Sequence, residues 1–356
     1  MSDINLNNYV CMVPFTSLEI HDTKRFLCCA SWLKNYLPEN TSPKDAWESD
    51  TSYNIRESML DGTYKYCDKN QCPRLSKLNS VGDIGGNGPM VLKSNMSNET
   101  KNKIQQHKDR TLKPTTVQFS FDRTCNLKCP SCRIDIITAD SKKIQEVKKT
   151  IDQIQNQYGE SIDTLYITGT GDPFVSVGFR DFLRNFDKTK WPSLKRIHLH
   201  TNATKWNKKM WDSMSRIHTY VKSCEISIDA GTKETYETKT RLGGNWDDLI
   251  DNLKFISTIP KLKSVKTSFV VQKHNYKEME TFYNLMVDIF GNKVNVFYGK
   301  INNWGTFTEE EYLEHKVWDE SHPLYDDFLK NLNSFILKDK VWHNLQEFIE
   351  PKKNLI

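Results

Sequence analysis

No stretch of this sequence stays apolar for the length a bilayer requires, and its start, Met-Ser-Asp-Ile-Asn-Leu-Asn-Asn, has neither the basic residues nor the apolar run of a secretory signal. Neither a membrane span nor export is expected, so the sequon at Asn95 carries no meaning. There is also no internal repeat, no low-complexity tract and no basic stripe interleaved with aromatics of the kind single-strand binders use. The net charge is only +5, and the lysine pairs at 142–143 and 148–149 read as one solvated helix face, so nucleic acid is not an expected partner. What the chain does have is 37% hydrophobic and 11% aromatic residues over 356 positions, enough for a barrel-sized domain of about 200 residues with smaller elements beside it. Its nine cysteines, without export, are expected to be reduced thiols or metal ligands in the cytoplasm.

Three of those cysteines carry the most information: Cys125, Cys129 and Cys132, in the run Cys-Asn-Leu-Lys-Cys-Pro-Ser-Cys. A cubane of four irons and four sulfides takes one thiolate per iron, so a tight CxxxCxxC triad with no fourth cysteine nearby leaves one iron open to a substrate or cofactor. A structural zinc site draws CxxC pairs to complete four ligands, and a disulfide framework belongs to small secreted chains. Neither explains an isolated triad.

Between Thr115 and Tyr298 apolar, β-rich runs alternate with polar, helix-periodic ones. Strands are expected over 116–121, 164–168, 196–200, 223–228, 265–271 and 294–297, and helices over 141–158, 178–186, 205–217, 246–259 and 276–290. Six β-α units imply an α/β fold with a parallel sheet covered by helices. In such folds the chemistry sits at the carboxyl ends of the strands, where the triad falls.

The triad in this setting resembles the radical S-adenosylmethionine (SAM) superfamily. The resemblance implies a partial (β/α)6 barrel over 114–303, in which the open iron of a 4Fe-4S cluster chelates the amino and carboxylate groups of SAM and electron transfer yields a 5'-deoxyadenosyl radical. After the second strand, Gly169-Thr-Gly171-Asp172-Pro resembles the family's Gly-Gly-Glu-Pro segment, which holds the SAM amino group. Asn202 in His-Thr-Asn-Ala, Ser227 in Ser-Ile-Asp-Ala-Gly, the downstream Arg241, and Gln272 and Asn275 in Gln-Lys-His-Asn match further family segments around SAM. A guanidinium is a natural fork for the methionyl carboxylate, with a surface ion pair as the alternative for Arg241. His198 and His200 alternate on one strand and share a face, and Cys224 reads as a buried core cysteine.

Residues 1–78 contain a second cysteine set: Cys11, Cys28 or Cys29, Cys67 and Cys72. Four thiolates suit a closed, auxiliary 4Fe-4S cluster and equally suit tetrahedral zinc. Counting back to the hairpin turn favours Cys28 over Cys29. The segment resembles the SPASM and twitch modules of radical SAM maturases, with the domain order reversed. Residues 79–113, rich in Gly, Asn, Ser and Lys, read as a linker with one helix over 97–107, and 304–356 as a helical extension with helices over 309–318, 323–337 and 341–348. The resemblance implies an enzyme that abstracts hydrogen from a peptide or protein substrate, fed by an external donor such as flavodoxin or ferredoxin. Dehydrogenation of a small alcohol or sugar, and a non-catalytic zinc- or cluster-stabilised binding module, are the alternatives.

Overall fold

The computed structural model of the chain describes residues 5–29, 32–33, 37, 39–69, 72, 74–75, 89–335 and 341–349. Two compact units emerge, one from 1–122, 142–170 and 187–196, the other from 123–141, 171–186 and 197–356.

The first unit carries strands β1 (Tyr9–Cys11), β2 (Ser17–Ile20), β3 (Arg25–Phe26), β4 (Met90–Leu92), β5 (Thr116–Phe119) and β6 (Thr164–Ile167). β1 and β4 form an antiparallel pair that sets Cys11 opposite Met90. β5 runs parallel to β6 on one side and parallel to β2 on the other, and β3 closes back antiparallel on β2. β2 and β3 are the hairpin expected before Cys28; what Ser-Leu-Glu-Ile does not announce is its parallel pairing with β5. Helices Pro43–Glu48 and Asp50–Leu60 start where Ser42 and Ser49 side chains accept backbone N–H bonds from Asp45 and Ser52. Helix Ser141–Tyr158, found over its expected length, buries Val147, Ile151, Ile154 and Tyr158, a spacing of three and four residues that makes one apolar stripe.

In the second unit β7 (Arg196–Thr201), β8 (Val221–Ser227), β9 (Ser264–Val271), β10 (Val294–Lys300) and β11 (Val341–His343) are parallel neighbours in that order. The result is a mixed α/β fold with a parallel sheet, as the alternating pattern implies. On one face Leu199, Ile226, Val265, Phe269 and Tyr298 are buried, with Phe269 5.0 Å from Phe282 of helix Met279–Phe290. The other face is polar: His198, His200, Ser223, Glu225, Ser227, Lys266 and Ser268 follow one another across β7, β8 and β9. Parallel sheets are ordinarily apolar on both sides, so this face marks where the fold gives up packing for polar contacts.

One expectation is corrected at the carboxyl end. Residues 341–348 form no helix: Val341, Trp342 and His343 pair with Val296, Phe297 and Tyr298, and only Gln346–Phe348 turns helically. A β-branched residue followed by aromatics suits an open sheet edge, and that pairing outweighs local helical preference. Helices Glu309–His315 and Tyr325–Phe335 occupy the other two expected positions, residues 336–337 of the second lying outside the described residues. Of the linker, 79–88 also lies outside them, while 98–108 is helical, capped by Ser97.

Candidate active site

The triad occupies the loop after β5. Leu127 is fully buried between Cys125 and Cys129 and anchors the loop, and Cys132 packs against them half-buried. Cys125 N–H donates to Ile137 O and Cys132 N–H to Cys129 O, each at 2.9 Å, which folds the loop back on itself. Lys128 N–H donates to Leu242 O at 2.9 Å, and the next residue, Gly243, takes φ +88°, a turn that favours glycine.

Each triad sulfur accepts a side-chain N–H. Asn202 Nδ2 reaches Cys125 Sγ at 3.5 Å, Arg241 Nη1 reaches Cys129 Sγ at 3.5 Å and Arg133 Nη2 reaches Cys132 Sγ at 3.3 Å. Burial pushes the Cys125 and Cys129 thiols up, and the Arg133 and Arg241 guanidinium charges pull them back. Both shifts hold the bare Cys125 and Cys129 thiols toward their protonated form.

The donors are themselves held. Asp172 is fully buried, and its carboxylate accepts from Thr201 Oγ1 at 2.7 Å, Asn202 N–H at 2.8 Å and Phe174 N–H at 2.9 Å. Burial raises its pKa against those three bonds. Both carboxylate oxygens are thus engaged inside the protein, and Asp172 acts on the site through the Asn202 backbone. Arg241 is buried, ion-paired with buried Asp229 at 2.6 Å and bonded to Ile228 O at 3.2 Å, so it belongs to the interior and not to a surface ion pair. Asp229 also accepts from Val270 N–H at 2.8 Å. Asn275 donates to Asp229 O and Val270 O, both at 2.9 Å, and accepts Gln272 N–H at 2.8 Å, which makes it a brace under this corner. Ser227 shares hydrogen bonds with His200 Nε2 and Ser268 Oγ on the polar face. Gly169 is exposed and Gly171 half-buried in the turn after β6. Thr168, Ala203 and Asp229, just beyond β6, β7 and β8, each have φ +61°, a strained value for non-glycine residues that persists where surrounding contacts impose it.

Three of these residues were not singled out from the sequence. Arg133 adjoins the triad and Asp229 sits inside the quoted Ser-Ile-Asp segment, so both were within sight. Asn126, which accepts from Asn202 Nδ2 at 3.2 Å and donates to Thr204 Oγ1 at 2.9 Å, had no signal of its own.

At the amino end Cys11, Cys28, Cys67 and Cys72 line one small pocket with Tyr64, Trp32 and Arg74. Cys29 is not among its lining residues. Burial pushes Cys11 up to about 11 and Cys67 to about 12, and it raises Cys28 further. Arg74 Nη1, 3.8 Å from Cys28 Sγ, is the one cation among them. Among the described residues no three Cys, His, Asp or Glu side chains gather closely enough to hold a single metal ion. Cys224 is buried in β8 and joins neither set.

Residues 119–286, just under half of the chain, match the family model described as Radical SAM superfamily. Over those residues the chain is similar to radical SAM domains. Solved structures that match parts of the chain include Streptococcus suis SuiB bound to S-adenosylmethionine, with 13% identity, a TM-score of 0.46 and coverage of 83% of this chain and 65% of that one. SuiB bound to precursor peptide SuiA gives 15%, 0.40, and 72% and 56%. TYW1 with a lysine-pyruvate adduct gives 12%, 0.36, and 62% and 72%. The chain spans 56% to 65% of the length of these SuiB chains. A comparison with curated proteins gives no match. No helix among the described residues is long and apolar enough to cross a membrane.

Proposed function

We propose that the chain is a radical SAM enzyme in which Cys125, Cys129 and Cys132 hold a 4Fe-4S cluster with one iron left to SAM, inside a partial barrel. When bound, the cluster supplies one electron to the SAM sulfonium, giving methionine and a 5'-deoxyadenosyl radical that takes a hydrogen atom from the substrate. The chain's own residues hold and polarise the thiolates. Asn202, Arg241 and Arg133 each donate to one sulfur, Asp172 and Asp229 fix the first two of these donors, and Gln272 and Asn275 brace the corner behind Arg241. Gly169, Gly171 and Ser227 are the SAM-facing positions in this reading. The observation that carries it is one loop presenting three thiols, each with its own N–H donor and no fourth cysteine.

The amino-terminal pocket, in this proposal, holds an auxiliary 4Fe-4S cluster on Cys11, Cys28, Cys67 and Cys72, and the substrate is a peptide or protein, with flavodoxin or ferredoxin supplying electrons from outside. Four cysteines meeting at one pocket support the second cluster. The polar face of β7 to β9 equally suits a hydroxylated small molecule, which keeps dehydrogenation of an alcohol or sugar as the second reading. Metal analysis after anaerobic reconstitution tests the cofactors. Two clusters predict about eight irons per chain. Zinc with almost no iron would return the chain to a structural binding module.

A further inference from the structure

A second pocket in the first unit has no part in the proposed radical chemistry. It is an open cleft lined by Trp47, Glu48, Tyr53, Arg56, His107, Arg110 and Leu112. Arg56 is 4% exposed. Its Nε donates to Pro14 O at 2.8 Å and its Nη1 to Trp47 O at 3.2 Å, but among the described residues Nη2 has no partner and no carboxylate pairs with the guanidinium. Buried charges are ordinarily paired, because an unpaired ion is costly to take out of water. The Tyr158 hydroxyl, near enough to feel the Arg56 charge, is also buried without a partner. A second cation, Arg110, stacks 4.4 Å from the Tyr53 ring centre, and Arg56 lies 4.1 Å from that of Trp47.

We infer that this pocket binds a small oxyanion, a carboxylate or phosphate, carried on a flat apolar body. Arg56 supplies the buried charge that the anion neutralises, Arg110 supplies a second at the mouth, and Trp47, Tyr53 and Leu112 supply apolar walls. The acidic groups nearby do not fill this role. Glu57 is committed to His107 Nε2 at 2.7 Å, Asp50 is 86% exposed and holds Arg110 at 3.1 Å, and Glu48 is exposed beside Lys44. Charges in water are screened, whereas Arg56 acts through a desolvated wall.

Calorimetric titration of the anaerobically reconstituted full chain tests this, with phenyl phosphate, benzoate and inorganic phosphate as probes and benzyl alcohol as the neutral control. Saturable binding of phenyl phosphate or benzoate, absent for benzyl alcohol, is expected. It should weaken at least about tenfold in Arg56→Lys, which keeps the charge and loses the fork, and several-fold in Arg110→Ala. Tighter binding of phenyl phosphate or of benzoate tells a phosphorylated from a carboxylic ligand. Glu48→Gln should bind the anion as well or better; a lower melting temperature with no anion binding would instead make Glu48 the counter-ion of Arg56. No saturable binding of either aryl anion, or an unchanged dissociation constant in Arg110→Ala and Arg56→Lys, would overturn the proposal. Because Arg110 is half-exposed, its variant keeps the test valid if Arg56→Lys fails to fold.

Discussion

Arg133 directly succeeds the third triad cysteine, and its guanidinium spans Cys132 Sγ at 3.3 Å and Arg123 O at 2.8 Å. Hydrogen bonds to cluster sulfurs and nearby positive charge favour the reduced state, so removing this donor makes reduction harder. Arg133→Gln is expected to lower the midpoint potential of one cluster by on the order of tens of millivolts while iron content stays near wild type. A redox titration followed by electron paramagnetic resonance reads this directly. An unmoved potential would reduce Arg133 to a packing role. Asp172 makes a different claim. Asp172→Ala strands the donors of Thr201, Asn202 and Phe174, each at a cost of about 1–3 kcal/mol when buried and unmade. The account expects a lower melting temperature and SAM affinity weakened about tenfold or more, with iron retained, since Asn202 loses its anchor. SAM titrated against the cluster's absorbance measures it. Equal affinity would separate Asp172 from the site.

The strands and helices of the alternating segment were legible because their periods are unambiguous: helix 141–158 shows one apolar stripe over eighteen residues, and β9 a run of β-branched residues. What failed to show were pairings made across the fold. Ser17–Ile20, expected only as one arm of a hairpin, runs parallel to β5, and Val341–His343 is a strand because β10 offers an open edge. The triad was legible for a related reason, since ligand spacing lies within one loop. Of the donors to its sulfurs, Asn202 and Arg241 were picked out as site residues by their family segments, whereas Arg133, which reaches Cys132, carried no such segment of its own. The strand at 17–20 gives a test. Leu18 is fully buried in β2, so Leu18→Ala should destabilise the protein by about 2–5 kcal/mol, whereas truncation of an appendage would leave the main transition unchanged. Chemical denaturation monitored by circular dichroism distinguishes the two.

At the scale of the whole molecule, two cysteine sets occupy two compact units, the triad in one and the four-cysteine pocket in the other. The proposed division is that the triad generates the radical and the second site supports the later steps of substrate turnover. Cys11→Ala and Cys72→Ala variants are then expected to lose about half of the iron, to cleave SAM without substrate, and to fail in substrate turnover. Circular dichroism must show them folded, because loss of a metal site can unfold a small region. A folded variant that turns over substrate at the wild-type rate would leave the amino-terminal site a structural role only. All of this rests on the triad, and the most direct measurement is 5'-deoxyadenosine released from SAM with dithionite, comparing the wild-type chain with the triple Cys125, Cys129 and Cys132 to Ala variant. The account predicts release by the wild type and none above background by the variant, which keeps its amino-terminal iron. Equal release by both proteins would contradict it.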